Sequence, residues 1–170
     1  TEANVSSLGN YLDGKPCSVD VSDEWAASSA STLGRFESHT DYVSADFAAL
    51  KAKIRPAVAM AFEAAQEWIR REKLEAVCVF NGRIDVTRAI LEAAKSLHVS
   101  VVSHERTWFG DGIQLLPGEH CLGLSSLWKM VEEWKDKALS RQQAIKAASL
   151  VARRVLRNNQ TEWRAYNEHA

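Results

Sequence analysis

Between Glu75 and Thr107 the chain reads EAVCVF-NGR-IDVTRAILEAAKSLH-VSVVSHERT. An apolar, β-branched run (Ala76, Val77, Cys78, Val79, Phe80) stops at Asn81-Gly82-Arg83. Behind Asp85 the period changes, and Ile90, Leu91, Ala94 and Leu97 recur at helical spacing. A second β-branched run (Val99, Val101, Val102) then ends at His104-Glu105-Arg106. Two buried-type strands joined by a helical crossover make a parallel βαβ unit, and such a crossover is right-handed. Both polar clusters then follow the carboxyl end of a strand, where open α/β sheets bind ligands.

The remaining sequence is expected to pack around that edge. Residues 1–43 read as an irregular segment, with Cys17–Val21 as a candidate edge strand and the Ser-rich Ala26–Thr32 as a loop or mobile connection. Ser44 is placed to cap a helix reaching about Lys73, with one apolar stripe through Phe47, Leu50, Ile54, Val58, Phe62, Ala65 and Ile69. Pro56 either kinks this helix or opens a second one. The stripe serves the core or, because it is long, a homodimer through helix 44–73. Thr107–Gly123 holds four glycines and a proline, so it cannot be helical throughout, and Ile113–Leu116 is a candidate short strand. Residues 124–157 read as helical: Leu127, Met130, Val131, Trp134 and Ala138 trace one face, and Ser140 to Gln143 form a capping box.

Composition excludes several classes. A net charge of −1 over 170 residues offers no electrostatic case for nucleic acid. No apolar run approaches the ~20 residues that span a bilayer. Three scattered cysteines, Cys17, Cys78 and Cys121, suit reduced thiols in a cytoplasmic compartment, with Cys78 as a small core hydrophobe. The chain opens on Thr1 and shows two clear strand patterns, fewer than an independent sheet needs. It is therefore expected to be a portion of a larger protein.

Three clusters could carry chemistry. In Asn81-Gly82-Arg83, the first two residues tolerate positive φ and close approach. Arg83, just ahead of a helix N-terminus, could clamp a phosphate or carboxylate, or be a solvated or capping charge beside a plain turn. The spacing is neither GxGxxG nor a P-loop. Glu105 could be a general base or contact a sugar hydroxyl, or pair with Arg83 across the neighbouring strand end. Trp108, Phe109 and Asp111 put aromatics beside a carboxylate, which suits carbohydrate, or they fold back on the core. His104, Glu119, His120 and Cys121 are metal-ligand types, but no CxxC, HxxxH or HExxH spacing joins them, so no metal is expected. No nucleophile elbow is present, and Cys121 and His120, being adjacent, are poorly placed to act together.

The order Val-Phe-Asn-Gly-Arg, Thr-Arg-Ala-Ile-Leu-Glu-Ala-Ala, then a strand ending in His-Glu-Arg resembles bacterial capsular and surface-polysaccharide biosynthesis proteins, glycosyltransferase-like proteins of the two-Rossmann-domain (GT-B) type. Asn81, Gly82, Arg83, Glu105 and Arg106 carry the match, more loosely Trp128 or Trp134, over roughly residues 50–166. The resemblance implies an α/β, Rossmann-like three-layer domain over residues 44–170, its small parallel sheet flanked by helices and its last third helical. It implies the N-terminal, acceptor-side half of such an enzyme. Glu105 and Asp111 are then the candidate catalytic carboxylates, and Asn81, Gly82, Arg83, Arg106 and Trp108 the substrate- or anion-binding residues. The partners are a nucleotide-sugar donor, a carbohydrate acceptor and a second Rossmann domain, which nothing in this chain resembles. No cofactor is expected, and the location is cytoplasmic, peripheral to the inner membrane. The rival expectation is a non-catalytic, flavodoxin-like module for phosphate, nucleotide or protein docking.

Overall fold

A computed structural model describes residues 6–12, 20–21, 23–107 and 112–156. The chain divides into two compact units, Thr1–His104 with Leu115–Gly123, and Glu105–Gln114 with Leu124–Ala170.

The first unit is organised on a 27-residue helix, α3 (Ala45–Arg71). Ser44 opens it as expected, its Oγ accepting from the Phe47 N–H at 3.1 Å. Pro56 lies within one continuous helix and is exposed. Phe47, Val58, Phe62, Ala65 and Ile69 are buried, so the stripe serves the core of this unit. Strand β1 (Ala76–Phe80), helix α4 (Asp85–Ser96) and strand β2 (Ser100–Arg106) follow. The two strands pair in parallel, with Ala76 opposite Ser100 and Phe80 opposite His104. The βαβ unit read from residues 75–107 is thus present.

Strand β3 (Ile113–Pro117) completes a mixed sheet in the order β1-β2-β3. The bonds Gly118 N–H to Val101 C=O and Thr107 N–H to Gly112 C=O bracket β2 and β3 as an antiparallel hairpin. Pairing with β3 also carries β2 through His104-Glu105-Arg106, which the sequence placed after the strand's end. Glu105 and Arg106 are strand residues, not loop residues.

Burial along β1 alternates. Val77 and Val79 are buried, with Val77 in the cluster formed by α3 and α4, while Ala76, Cys78 and Phe80 are exposed. Cys78 is therefore not the core residue that its place in an apolar run suggested. An uninterrupted apolar run reads as buried on both faces; here helices cover the face that holds Val77 and Val79.

The Ser-rich stretch is the larger correction. It is neither loop nor mobile connection but part of helix α1 (Asp23–Leu33), which packs on α3 and α4. Its small residues allow close approach, with Ala26, Ser29 and Ala30 fully buried. The hydroxyls of Ser31 and Thr32 both donate back to the Ser28 carbonyl, so they do not compete with the helix from outside. A 3-10 turn (Leu8–Tyr11) and the short helix α2 (His39–Tyr42) also lie within the segment read as irregular. Of the Cys17–Val21 strand expectation, residues 17–19 fall outside the described set, and Val21 is a buried core residue with no strand pairing assigned.

In the second unit, helices α5 (Leu124–Trp134) and α6 (Arg141–Val155) match the helical reading of the last third. The expected capping box is formed: Gln143 Oε1 accepts from the Ser140 N–H and Ser140 Oγ from the Gln143 N–H. The apolar face of α5 exists as a pattern, but Leu127, Met130, Val131 and Trp134 are exposed. Among the described residues no helix is long and apolar enough to cross a membrane.

Candidate functional site

The carboxyl end of β1 turns sharply because two successive residues adopt left-handed backbone, Asn81 at φ 63° and Gly82 at φ 65°. Asn tolerates this region and Gly enters it freely. The Asn81 N–H still donates to the His104 carbonyl at 2.8 Å, extending the parallel ladder by one bond. The Asn81 side-chain oxygen accepts from the Arg83 N–H at 3.0 Å, an Asx turn that fixes where Arg83 leaves the strand end. The Asn81 carbonyl accepts from the Cys121 N–H at 2.8 Å, which stitches the turn after β3 onto the Asn-Gly turn. A Cβ on Gly82 would lie 3.3 Å from Leu91 Cδ2, 3.3 Å from Ser103 Cβ and 3.4 Å from the His120 Cα. The position admits no side chain without a shift of its neighbours.

The Arg83 guanidinium points to α1. Its Nη1 donates to Thr32 Oγ1 at 2.7 Å and its Nη2 to Ser31 Oγ at 3.0 Å. Ser29 Oγ accepts from the Asp85 N–H at 2.5 Å, and the Asp85 carboxylate accepts from the Val86 N–H. The first two N–H groups of α4 are therefore already engaged, although Ile84 at the N-cap has no capping side chain.

Two further residues complete the cluster. Arg88, in the first turns of α4, is only 6% exposed. Its Nη2 donates to Glu24 Oε1 at 3.3 Å, and Glu92 Oε1 lies 2.9 Å from Nε but out of line for a hydrogen bond. Its Nη1 has no hydrogen-bond partner among the described residues. His120 is half-buried, and its Nδ1 accepts from the Leu122 N–H at 3.2 Å. Burial lowers the His120 pKa below the ordinary 6.5; the Arg88 and Arg83 charges act in the same direction, against Glu24 and Glu119. The ring is thus held neutral, and with Nδ1 accepting, its proton resides on Nε2.

Asn81, Gly82 and Arg83 thus stand together at the strand end. Glu105 and Arg106 are the last two residues of β2, where Glu105 Oε1 accepts from the Arg106 N–H at 2.9 Å. Trp108 and Asp111 lie outside the described residues. Among the described residues no three His, Cys, Asp or Glu side chains are grouped to hold a metal ion. Arg88 and the α1 hydroxyls were not singled out in the sequence, and His120 was weighed only as a metal ligand or a partner to Cys121. An arginine flanked by Ala89 and followed by Glu92 at i+4 is the pattern of a solvated helix pair, so nothing local distinguished Arg88.

Comparison with protein-family models, with curated proteins and with solved structures finds no match for this chain.

Proposed function

We propose that the chain is the acceptor-side, N-terminal half of a glycosyltransferase of surface or capsular polysaccharide biosynthesis. In this reading a second Rossmann-type domain holds the nucleotide-sugar donor, and the carbohydrate acceptor binds at the sheet edge described here. The observation that supports it is the parallel β1-α4-β2 unit carrying Asn81-Gly82-Arg83 at the carboxyl end of β1. Strand ends of this kind are where α/β sheets take ligands. Glu105 is the proposed general base toward an acceptor hydroxyl, with Asp111 as the second carboxylate, and Arg106 and Trp108 as further substrate contacts. The sheet is then part of a Rossmann-like three-layer domain, whose second layer would lie on the Ala76, Cys78 and Phe80 face. A homodimer through α3 would have to use the exposed side of that helix, since its apolar stripe is in the core. The proposed location is the cytoplasmic side of the inner membrane, as a peripheral protein.

The test is sugar transfer from UDP-, GDP- and CMP-sugar donors by the complete polypeptide, with Glu105→Gln and Arg83→Ala compared with wild type. Loss of a general base lowers turnover by ~10²–10⁴-fold. If transfer survives both substitutions in folded protein, the site assignment is wrong. The flavodoxin-like rival draws on the same basic rim and predicts phosphate binding with no transfer.

A further inference from the structure

We propose that Arg83, Arg88 and His120 form a binding site for a phosphate group, a phosphomonoester or diphosphate, for which Glu24 is the displaceable stand-in. The inference deepens the ligand-binding reading of this rim and does not require that sugar be transferred.

The argument starts from Arg88. A guanidinium carries five N–H donors and cannot lose its charge, so burial normally engages them all. Here Nη1 is buried and has no partner among the described residues. Of its two counter-ions, Glu92 is shared with Lys95, whose Nζ lies 3.3 Å from Glu92 Oε2. Glu24 is held by one long bond, and its side chain is 69% exposed. A solvated carboxylate at 3.3 Å contributes little and is easily exchanged for another anion.

The neighbouring donors complete the set. Arg83 uses two of its five N–H groups on neutral hydroxyls, which are weaker acceptors than a phosphate oxygen. His120 presents Nε2–H, because its Nδ1 is taken by the Leu122 N–H. The two residues belong together: the turn carrying His120 is bonded to Asn81, and the His120 backbone rests against Gly82. The first two N–H groups of α4 are engaged by Ser29 and Asp85, so the site is built on side chains rather than on the helix terminus. Two fixed positive charges and a neutral N–H on separate elements suit a tetrahedral dianion. A single planar carboxylate would engage one guanidinium fork and leave the other donors idle.

The sign of the Glu24 effect separates a ligand site from a structural ion pair. Titrate inorganic pyrophosphate, UDP and a sugar 1-phosphate into the protein at constant ionic strength, following the His120 ring nitrogens by NMR. Wild type should show a saturable shift at His120 Nε2, Arg88→Lys should weaken binding at least tenfold, and Glu24→Gln should tighten it several-fold. UDP binding more tightly than the sugar phosphate indicates a nucleotide source, and the reverse order indicates a phosphorylated acceptor; both support the site. No shift at His120 in wild type, or weaker binding in Glu24→Gln, overturns the proposal without need of the Arg88 variant. Transfer without pyrophosphate binding sinks this inference alone. Binding without transfer from any donor sinks the glycosyltransferase reading and leaves the site standing.

Discussion

Gly82 and Gly118 together test how the strand-end turn is built, because they share a backbone conformation and differ in surroundings. Gly82 has φ 65° and Gly118 φ 69°, so alanine at either must adopt the left-handed region at a cost of about 1 kcal/mol. At Gly118 a Cβ would meet nothing within 4 Å, and the backbone cost is the whole effect. At Gly82 it would press on Leu91, Ser103 and the His120 backbone at 3.3–3.4 Å. None of the three yields readily. Leu91 and Ser103 are fully buried, Ser103 Oγ is bonded to the Glu119 carbonyl, and the His120 turn is tied to Asn81. Overpacking of this kind adds roughly 1–3 kcal/mol, so Gly82→Ala should cost about 2–4 kcal/mol and Gly118→Ala about 1. Native-state hydrogen exchange on β1 and α4 confines the measurement to the unit concerned. Equal costs for the two substitutions, within about 0.5 kcal/mol, would refute the claim that the Asn-Gly turn is packed against α4, β2 and the His120 turn.

Three other outcomes are expected. Pro56→Ala should stabilise the first unit by ~2 kcal/mol: a proline inside a helix costs about 3, its stiffening of the unfolded chain returns up to about 1, and the residue is exposed; a lower urea midpoint for the variant would show that the helix needs its proline. Leu91→Ala should destabilise by about 2–5 kcal/mol, read from the same exchange protection, because the side chain is 1% exposed between α4 and the turn. Stability of this unit should fall as pH drops from 7 through 6.5 and level off below the depressed folded pKa of His120. In that window the unfolded ring binds a proton that the folded ring refuses. His120→Asn should remove this part of the slope. Asp23 and Asp41, both held below the ordinary 3.8, contribute stability that is present above that pH and lost as pH falls further.

What was legible in the sequence was whatever a single local signal decides. The change of period between Phe80 and Ile90 placed β1 and α4, and Ser44 and Ser140 placed two helix starts. The helix ends were harder, since α3 and α4 close on Lys73 and His98 at φ 51° and 56° and not on glycine. In each, the next residue's N–H reaches back to a carbonyl five positions earlier, Leu74 to Ile69 and Val99 to Ala94. That is the Schellman arrangement, made here without its usual residue. Helix α1 was missed for the converse reason. Serine favours turns when its hydroxyl competes with the backbone, yet here the hydroxyls either bond within the helix or face donors on another element.

That last point links the missed helix to the missed site. Ser29, Ser31 and Thr32 are poor helix formers, and together they supply oxygens to the Asp85 N–H and to both ends of the Arg83 fork. Local propensity counts them as a defect, because their partners lie more than 50 residues away. Arg88 follows the same logic: its sequence neighbours describe a surface ion pair, yet it is buried and reaches Glu24 of α1, 64 residues away. A junction rich in N–H donors needs acceptors, and α1 brings neutral hydroxyls and one solvated carboxylate. Such acceptors engage both arms of the Arg83 fork but only one nitrogen of Arg88, and they bind less strongly than a phosphate oxygen would. The residues that made this stretch read as a loop or mobile connection are thus the ones that leave the basic rim exchangeable.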